Sequence, residues 1–205
     1  MCGIFGSNDF KTFKELYTKN SERGNFVRSI TMVFPGGMKN GITVSTKHDQ
    51  DFNKPIEENP FCIYYLGHVQ SPTSSAREFN TKTSHGVLSN HEELIKEYDL
   101  DITCSVDSSV ILPLIEKIGF TDALSTLQGT FSCWYYNTNT GSMRIFRSGS
   151  TLFLNNGSFS SIQPEDSHEQ GYNSINEGHV LEYNFTNNTF NKVDEFELKD
   201  SSFFL

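Results

Sequence analysis

An α+β fold rich in strands is the architecture the sequence predicts, and three observations carry that expectation. Short runs of apolar and aromatic residues recur between turn-forming dipeptides. Helical periodicity is confined to the first two-thirds of the chain. Aromatic residues supply much of the potential core, with 18 Phe and 8 Tyr in 205 residues. A chain of this length buries a sizeable core without disulfide or metal staples, and it reads as one domain over residues 1–194 with a tail over 195–205.

The opening segment, Met1-Cys2-Gly3-Ile4-Phe5-Gly6, contains the first strand, in Ile4 and Phe5. Asp9 is a helix cap, and Phe10, Phe13, Leu16 and Tyr17 fall on one helical face. Residues 21–25 form a loop. Strands are expected over 30–34 and 41–46, divided by Pro35-Gly36-Gly37 and Asn40-Gly41, with a polar surface loop over 47–60. Residues 61–69 form a strong strand candidate. The stretch 74–84 is polar and irregular, residues 84–90 follow with no element assigned to them, and a helix starts at His91. A second helix is expected from Ser105 through Ile118, with Pro113 kinking or interrupting it. Residues 121–127 add a short helix closed by Gly129. The last third reads as strands over 130–136, 143–146, 151–154, 159–162, 180–185 and 189–193, with turns at Asn155-Asn156-Gly157 and Asn187-Asn188.

Charge and composition narrow the function. A formal charge of −9 opposes non-specific nucleic-acid binding and attraction to an anionic membrane. No basic segment leads into an apolar run, and no stretch approaches the roughly 20 apolar residues of a membrane span. The four cysteines, Cys2, Cys62, Cys104 and Cys133, include no CxxC pair. Disulfides are therefore not expected, and a reducing, cytoplasmic setting is. Cys62 and Cys133 read as core thiols. The histidines lack ligand spacing, so neither a metal nor another cofactor is expected.

Cys2 is the residue with distinctive chemistry. Removal of Met1 would put a thiol and an α-amine on one residue, with ordinary pKa values of about 8.5 and about 8. The amine can then serve as the base for its own nucleophile. The alternative is an ordinary small hydrophobe after the initiator methionine.

Seven segments in order resemble class II glutamine amidotransferase domains of the N-terminal-nucleophile hydrolase superfamily. Met1-Cys2-Gly3-Ile4-Phe5-Gly6 resembles their opening, and Arg23-Gly24 their Arg-Gly loop. Gly67-His68-Val69-Gln70-Ser71-Pro72-Thr73 is similar to Gly-His-x-Arg-x-x-Thr. His85-Gly86 through Asn90 resembles Asn-Gly-x-x-x-Asn. Asp107-Ser108-Ser109-Val110-Ile111 resembles Asp-Thr-Glu-Val-Ile. Leu127-Gln128-Gly129-Thr130-Phe131-Ser132 is similar to Leu-x-Gly-x-Phe-Ala, and Asn176 through Leu181 resembles a Pro-Gly turn before a late strand. The resemblance runs from Met1 to Leu181.

It implies a four-layer αββα sandwich and hydrolysis of the glutamine side-chain amide through a Cys2 thioester. Glutamine, or another amide, would be the substrate, and a synthase partner chain would receive the ammonia. Gly86 would donate its backbone N–H to the oxyanion, with His85 at the position of the family's second donor, an asparagine. Asp107 would hold the substrate α-ammonium, and Thr73 would lie near the α-carboxylate. Arg23, grouped with the substrate-binding residues, is expected chiefly to organise loops around the N-terminus.

The chain departs from the family pattern at several points. Gln70 occupies the position of an arginine that pairs with the α-carboxylate, and a neutral amide cannot form that bidentate charge pair. Arg28 and Arg77 are the candidates to compensate. Ser109 replaces a glutamate, and Arg147-Ser148-Gly149 replaces an Arg-Asp segment that borders the synthase domain in the synthetases. A free-standing domain is consistent with that loss. The second functional expectation is a binding or assembly module that keeps the fold without catalysis.

Overall fold

The computed structural model describes residues 2–24, 26–35, 42–49, 54–70, 84–102, 106–164 and 171–199, the backbone alone over 42–49 and 84–86. It contains two antiparallel sheets. The first has seven strands in the order β10-β8-β9-β1-β4-β2-β3, from β1 (Gly3–Ser7), β2 (Val27–Pro35), β3 (Ile42–Asp49), β4 (Tyr64–Gln70), β8 (Phe153–Asn155), β9 (Ser158–Ser160) and β10 (Asn173–Ser174). The second has five in the order β12-β11-β7-β6-β5, from β5 (Ser84–Leu88), β6 (Gly129–Asn137), β7 (Ser142–Ser148), β11 (His179–Asn184) and β12 (Thr189–Glu195). Helix α1 (Phe10–Asn20) packs on the first sheet. The group α2 (His91–Glu97), α3 (Ile111–Ile118) and α4 (Phe120–Thr126) packs on the second.

Strand alternation divides the core into the three interfaces of an αββα sandwich. In β1, Ile4 faces the other sheet and Phe5 faces α1. In β4, Tyr64 and Leu66 face the other sheet, whereas Tyr65 and Val69 face α1. In β6, Trp134 points between the sheets, whereas Phe131 and Cys133 point to the α2–α4 layer. Each large apolar side chain buried this way contributes about 1.5–3 kcal/mol. The α1 interface is a cluster of rings, with Phe5–Phe13 and Phe13–Tyr65 centroids both 5.2 Å apart.

Local chemistry explains the element ends. Asp9 caps α1 by accepting from Thr12 N–H at 2.7 Å. That bond, made to the charged form, holds the Asp9 carboxyl below its ordinary pKa. Gly119, at φ +92°, ends α3 and opens α4. Asn156 and Gly157, at φ +40° and +82°, form the two-residue turn between β8 and β9 that the sequence marks.

Several boundaries differ from expectation. Residues 84–88, given no element from the sequence, form β5, because they pair with β6 from Ser84↔Cys133 to Leu88↔Gly129. Residues 61–63 precede β4, and Phe61 is 75% exposed, so this aromatic run does not begin the strand. Pro113 is the third residue of α3, where no intrahelical N–H bond is lost. A 3-10 turn over Asp107–Val110 precedes the helix, so no kink is needed. Ser105, expected to cap that helix, lies outside the described residues. Cys62 is half-buried, not a full core residue. Phe196 packs into the helix-side core beyond the end of β12, so folded structure continues past 194. Among the described residues, no helix is long and apolar enough to cross a membrane.

Candidate active site

The candidate nucleophile stands at the N-terminus of β1, a strand of the first sheet that packs across the sandwich from the second. Cys2, partly exposed, immediately precedes this central strand, which lies between β9 and β4. The last β1–β4 pair is Gly3↔Val69, so Cys2 and Gln70 sit one step beyond it, side by side at the strand ends. Across the sandwich, Cα atoms of β1 come within 8 Å of those of β5 and β6. In that second sheet His85 lies opposite Ser132, and Gly86 opposite Phe131. Ser132 is fully buried, and its hydroxyl has no hydrogen-bond partner among the described residues. Thr73 lies outside the described residues.

Asp107 is tied to the same region. Its Oδ2 accepts from Leu88 N–H at 2.6 Å, and its Oδ1 accepts from Ser108 N–H at 2.8 Å. The first bond fastens the 3-10 turn to the end of β5, two residues from Gly86. A carboxylate has about four acceptor sites, so these bonds leave capacity for an ammonium group. The thiol of Cys133, opposite Ser84, is pushed far up by burial and secondarily by Asp107. It is a core thiol without nucleophilic character. Burial also raises the Cys62 thiol.

Arg28 lies opposite Val69, next to Gln70, but on the other face of the sheet from Gln70. On β2 it faces α1, in step with Ile30 and Met32. Its Nη1 donates to Tyr17 Oη at 3.0 Å and its Nη2 to the Lys54 carbonyl at 2.6 Å. Compensation for Gln70 by Arg28 is therefore ruled out by strand alternation, and Arg77 lies outside the described residues. Arg23 occupies a different flank, where its Nη2 donates to Thr151 Oγ1 at 3.3 Å. Partial burial lowers the Arg23 pKa, so its charge is incompletely solvated. Arg147, replacing part of a family segment, donates to the carbonyls of Ile175 and Ser150 and pairs with Glu177 at 3.3 Å.

A polar cluster beneath the start of β1 escaped the sequence reading. Asn20, Ser160 and Ser161 are each fully buried there. One signal was available: Asn20 follows Phe13 and Leu16 at helical spacing, so a polar side chain sits on the apolar face of α1. Among the described residues, clefts lie elsewhere. One of about 350 Å³ is lined by Asn155, Asn173, Asn176 and His179 at the β8–β10 edge. Another, of about 340 Å³, lies between Arg28, Met32 and the segment 54–59. Among the described residues, no cluster of three or more His, Cys, Asp or Glu side chains could hold a metal.

No protein-family model matches the chain. A curated relative, glutamine–fructose-6-phosphate aminotransferase (isomerizing) of Shouchella clausii (strain KSM-K16), is 25% identical over 165 residues, which are 64% of this chain and 26% of the relative. Among solved structures, glutamine phosphoribosylpyrophosphate amidotransferase of B. subtilis, complexed with ADP and GMP, matches with a TM-score of 0.64 at 18% identity. A second structure, described as the allosteric regulatory enzyme of purine biosynthesis, matches with a TM-score of 0.62 at 18% identity. Each alignment covers 93% of this chain and 49% of the solved chain. The chain thus spans about a quarter of the curated relative and about half of the solved ones. The two-sheet sandwich is therefore a fold this chain shares with those solved amidotransferase structures, and part of its sequence is similar to that of the curated aminotransferase.

Proposed function

We propose that the domain hydrolyses the side-chain amide of glutamine, or of a related amide, with Cys2 as an N-terminal nucleophile. The carrying observation is the position of Cys2: it precedes the central strand, beside Gln70, and that strand packs across the sandwich from β5, which bears His85 and Gly86. Removal of Met1 frees the α-amine. The amine takes the Cys2 thiol proton as sulfur adds to the amide carbon. The resulting oxyanion receives the Gly86 backbone N–H and a second donor from His85. Each such donor is worth about 10²–10³ in rate.

The tetrahedral intermediate collapses as the α-ammonium protonates the leaving nitrogen. Ammonia departs and leaves a Cys2 thioester. A water molecule, deprotonated by the same amine, attacks the thioester carbonyl, releases the carboxylic acid and restores the thiol. Asp107 holds the substrate ammonium with its remaining acceptor capacity, while Gln70 and Thr73 border the carboxylate. Arg23 supports the loop beside the N-terminus. The ammonia passes to a synthase partner.

One observation favours a second reading, a binding module without turnover. Both Asp107 oxygens already accept backbone N–H groups, and Gln70 carries no charge for a carboxylate. Intact-protein mass spectrometry after incubation with an electrophilic glutamine analogue separates the readings. Loss of Met1 plus one adduct, absent in Cys2→Ala, supports the hydrolase. Retained Met1, or a processed but unlabelled Cys2, supports the module.

A further inference from the structure

We propose that Asn20 and Ser161 are positioning residues that fix the nucleophile end of β1, and with it the direction of the Cys2 α-amine. The proposal rests on the reading of Cys2 as the nucleophile.

The β1–β9 ladder has two residue pairs, Phe5↔Ser160 and Gly6↔Phe159. At the next step a side chain replaces a backbone acceptor. Ser161 N–H donates to the Ile4 carbonyl at 2.8 Å, as a ladder residue would. Ile4 N–H, however, donates to Ser161 Oγ at 3.0 Å. The Ser161 carbonyl instead accepts from Thr151 Oγ1 at 2.7 Å, and Thr151 Oγ1 in turn accepts from Arg23. The strand β9 therefore leaves the sheet at Ser161 while its hydroxyl keeps Ile4 satisfied.

Hydrogen-bond valence fixes the proton positions. Asn20 Nδ2 donates to the Leu16 carbonyl at 2.8 Å and to Ser160 Oγ at 2.9 Å. Its Oδ1 is then the acceptor for the Ser161 hydroxyl at 3.1 Å. Ser160 Oγ passes its own proton to the Ile162 carbonyl at 2.6 Å. Every member of this buried network has a defined role, which specifies one arrangement.

The network touches both residues that follow the nucleophile. Ile4 is held by the hydrogen bond, and Gly3 by contact, since a Cβ on Gly3 would lie 2.8 Å from Asn20 Oδ1. Backbone polar groups of alternate residues in an extended chain point to the same side. The Cys2 amine is thereby directed to the flank of the Ile4 N–H, where Ser161, Thr151 and Arg23 lie. The separation of that amine from its own thiol follows the χ1 rotamer of Cys2, and a fixed backbone restricts which rotamers the thiol can adopt.

A matched control exists on the same two strands. Ser7 and Ser158 share a buried hydroxyl–hydroxyl bond of 2.8 Å at the opposite end of β1. A role confined to stability would make Ser161→Ala and Ser7→Ala equivalent.

The test measures iodoacetamide labelling of Cys2 against pH in the full-length chain, read peptide by peptide with Cys62 as internal reference, together with hydrogen exchange at Ile4. In Ser161→Ala, Cys2 labelling near neutral pH should slow about fivefold, the rate equivalent of one net hydrogen bond. Its pH midpoint should rise, and Ile4 should exchange faster. Ser161→Thr should restore all three, and Ser7→Ala should leave Cys2 unchanged. If Ser161→Ala does not fold, Thr151→Val at an exposed position removes the support of the Ser161 carbonyl and should move Cys2 labelling in the same direction. An unchanged Cys2 midpoint in the folded variant, or equal shifts in Ser7→Ala, would overturn the proposal. Retained Met1 in the unaltered chain would instead defeat the hydrolase reading, a separate result in the same spectra.

Discussion

The Asp107 carboxylate accepts a 2.6 Å hydrogen bond from Leu88 N–H, binding the turn before α3 to the end of β5. The same carboxylate is the proposed partner of the substrate ammonium, so its structural and substrate roles must be separated. Asp107→Asn keeps an oxygen acceptor for Leu88 but removes the charge. It should fold with a loss of no more than about 1–2 kcal/mol and raise KM for glutamine by about tenfold or more. Asp107→Ala should also lose stability, because Leu88 N–H is left without its acceptor. Denaturation midpoints and steady-state kinetics decide the matter; an unchanged KM in Asp107→Asn would confine Asp107 to the structural role.

Gln70 offers a gain-of-function test. Its backbone carbonyl accepts from Phe26 N–H at 3.0 Å, so the side chain is not what fastens β4 to the start of β2. An arginine there would supply a forked donor for the α-carboxylate. Gln70→Arg should lower KM for free glutamine by about ten- to a hundredfold with kcat unchanged, the pattern of added uniform binding. No change in KM would mean that the carboxylate does not sit beside β4.

The αββα layering was reached through the resemblance, and the alternation in Tyr64-Tyr65-Leu66 that puts neighbours on opposite faces is what the fold adds. Asp9 and Asn156-Gly157 were legible because capping and left-handed turns demand particular side chains. β5 was not, since Ser84, His85 and Gly86 carry little strand propensity and acquire strand geometry by pairing with β6. Arg28 was misleading for a related reason: its charge suggested a substrate role, but register turns it toward Tyr17 and away from Gln70. The Asn20–Ser161 cluster joins residues 141 positions apart, a distance at which spacing carries no signal. The candidate site residues before β1 and on β4 were proposed from ordered motifs, whereas the contacts around them came only from the folded arrangement.

Gly67 is a packing requirement. A Cβ there would lie 2.2 Å from Phe5 Cζ and 2.3 Å from Cε2. Phe5 is fully buried against Phe13, so its ring has no open space to enter. Gly67→Ala should destabilise by about 1–3 kcal/mol, the usual cost of overpacking. Adding Phe5→Leu to that variant should recover part of the loss, and the double-mutant cycle should show coupling above about 0.5 kcal/mol. Additive effects would mean that the ring is not the obstacle.

Alkaline pH should unfold the domain through its buried tyrosines. Tyr65, Tyr172 and Tyr183 are each pushed up to about 12 chiefly by burial, and Tyr64, donating to the Gly157 carbonyl at 2.6 Å, is raised strongly by the same cause. An unfolded tyrosine ionises near 10. Because the folded values are raised, this contribution is fully present below about pH 10 and is lost as pH rises through about 12. Denaturant midpoints should therefore fall steeply across that window, and phenolate absorbance of the four tyrosines should appear together with loss of tertiary structure. Replacing Tyr64 by Phe should reduce the steepness, since one delayed ionisation is removed, while leaving the Gly157 carbonyl without its donor and lowering stability near neutrality by about 1–3 kcal/mol. Stability that stays level through the window would show that these hydroxyls ionise without unfolding the chain.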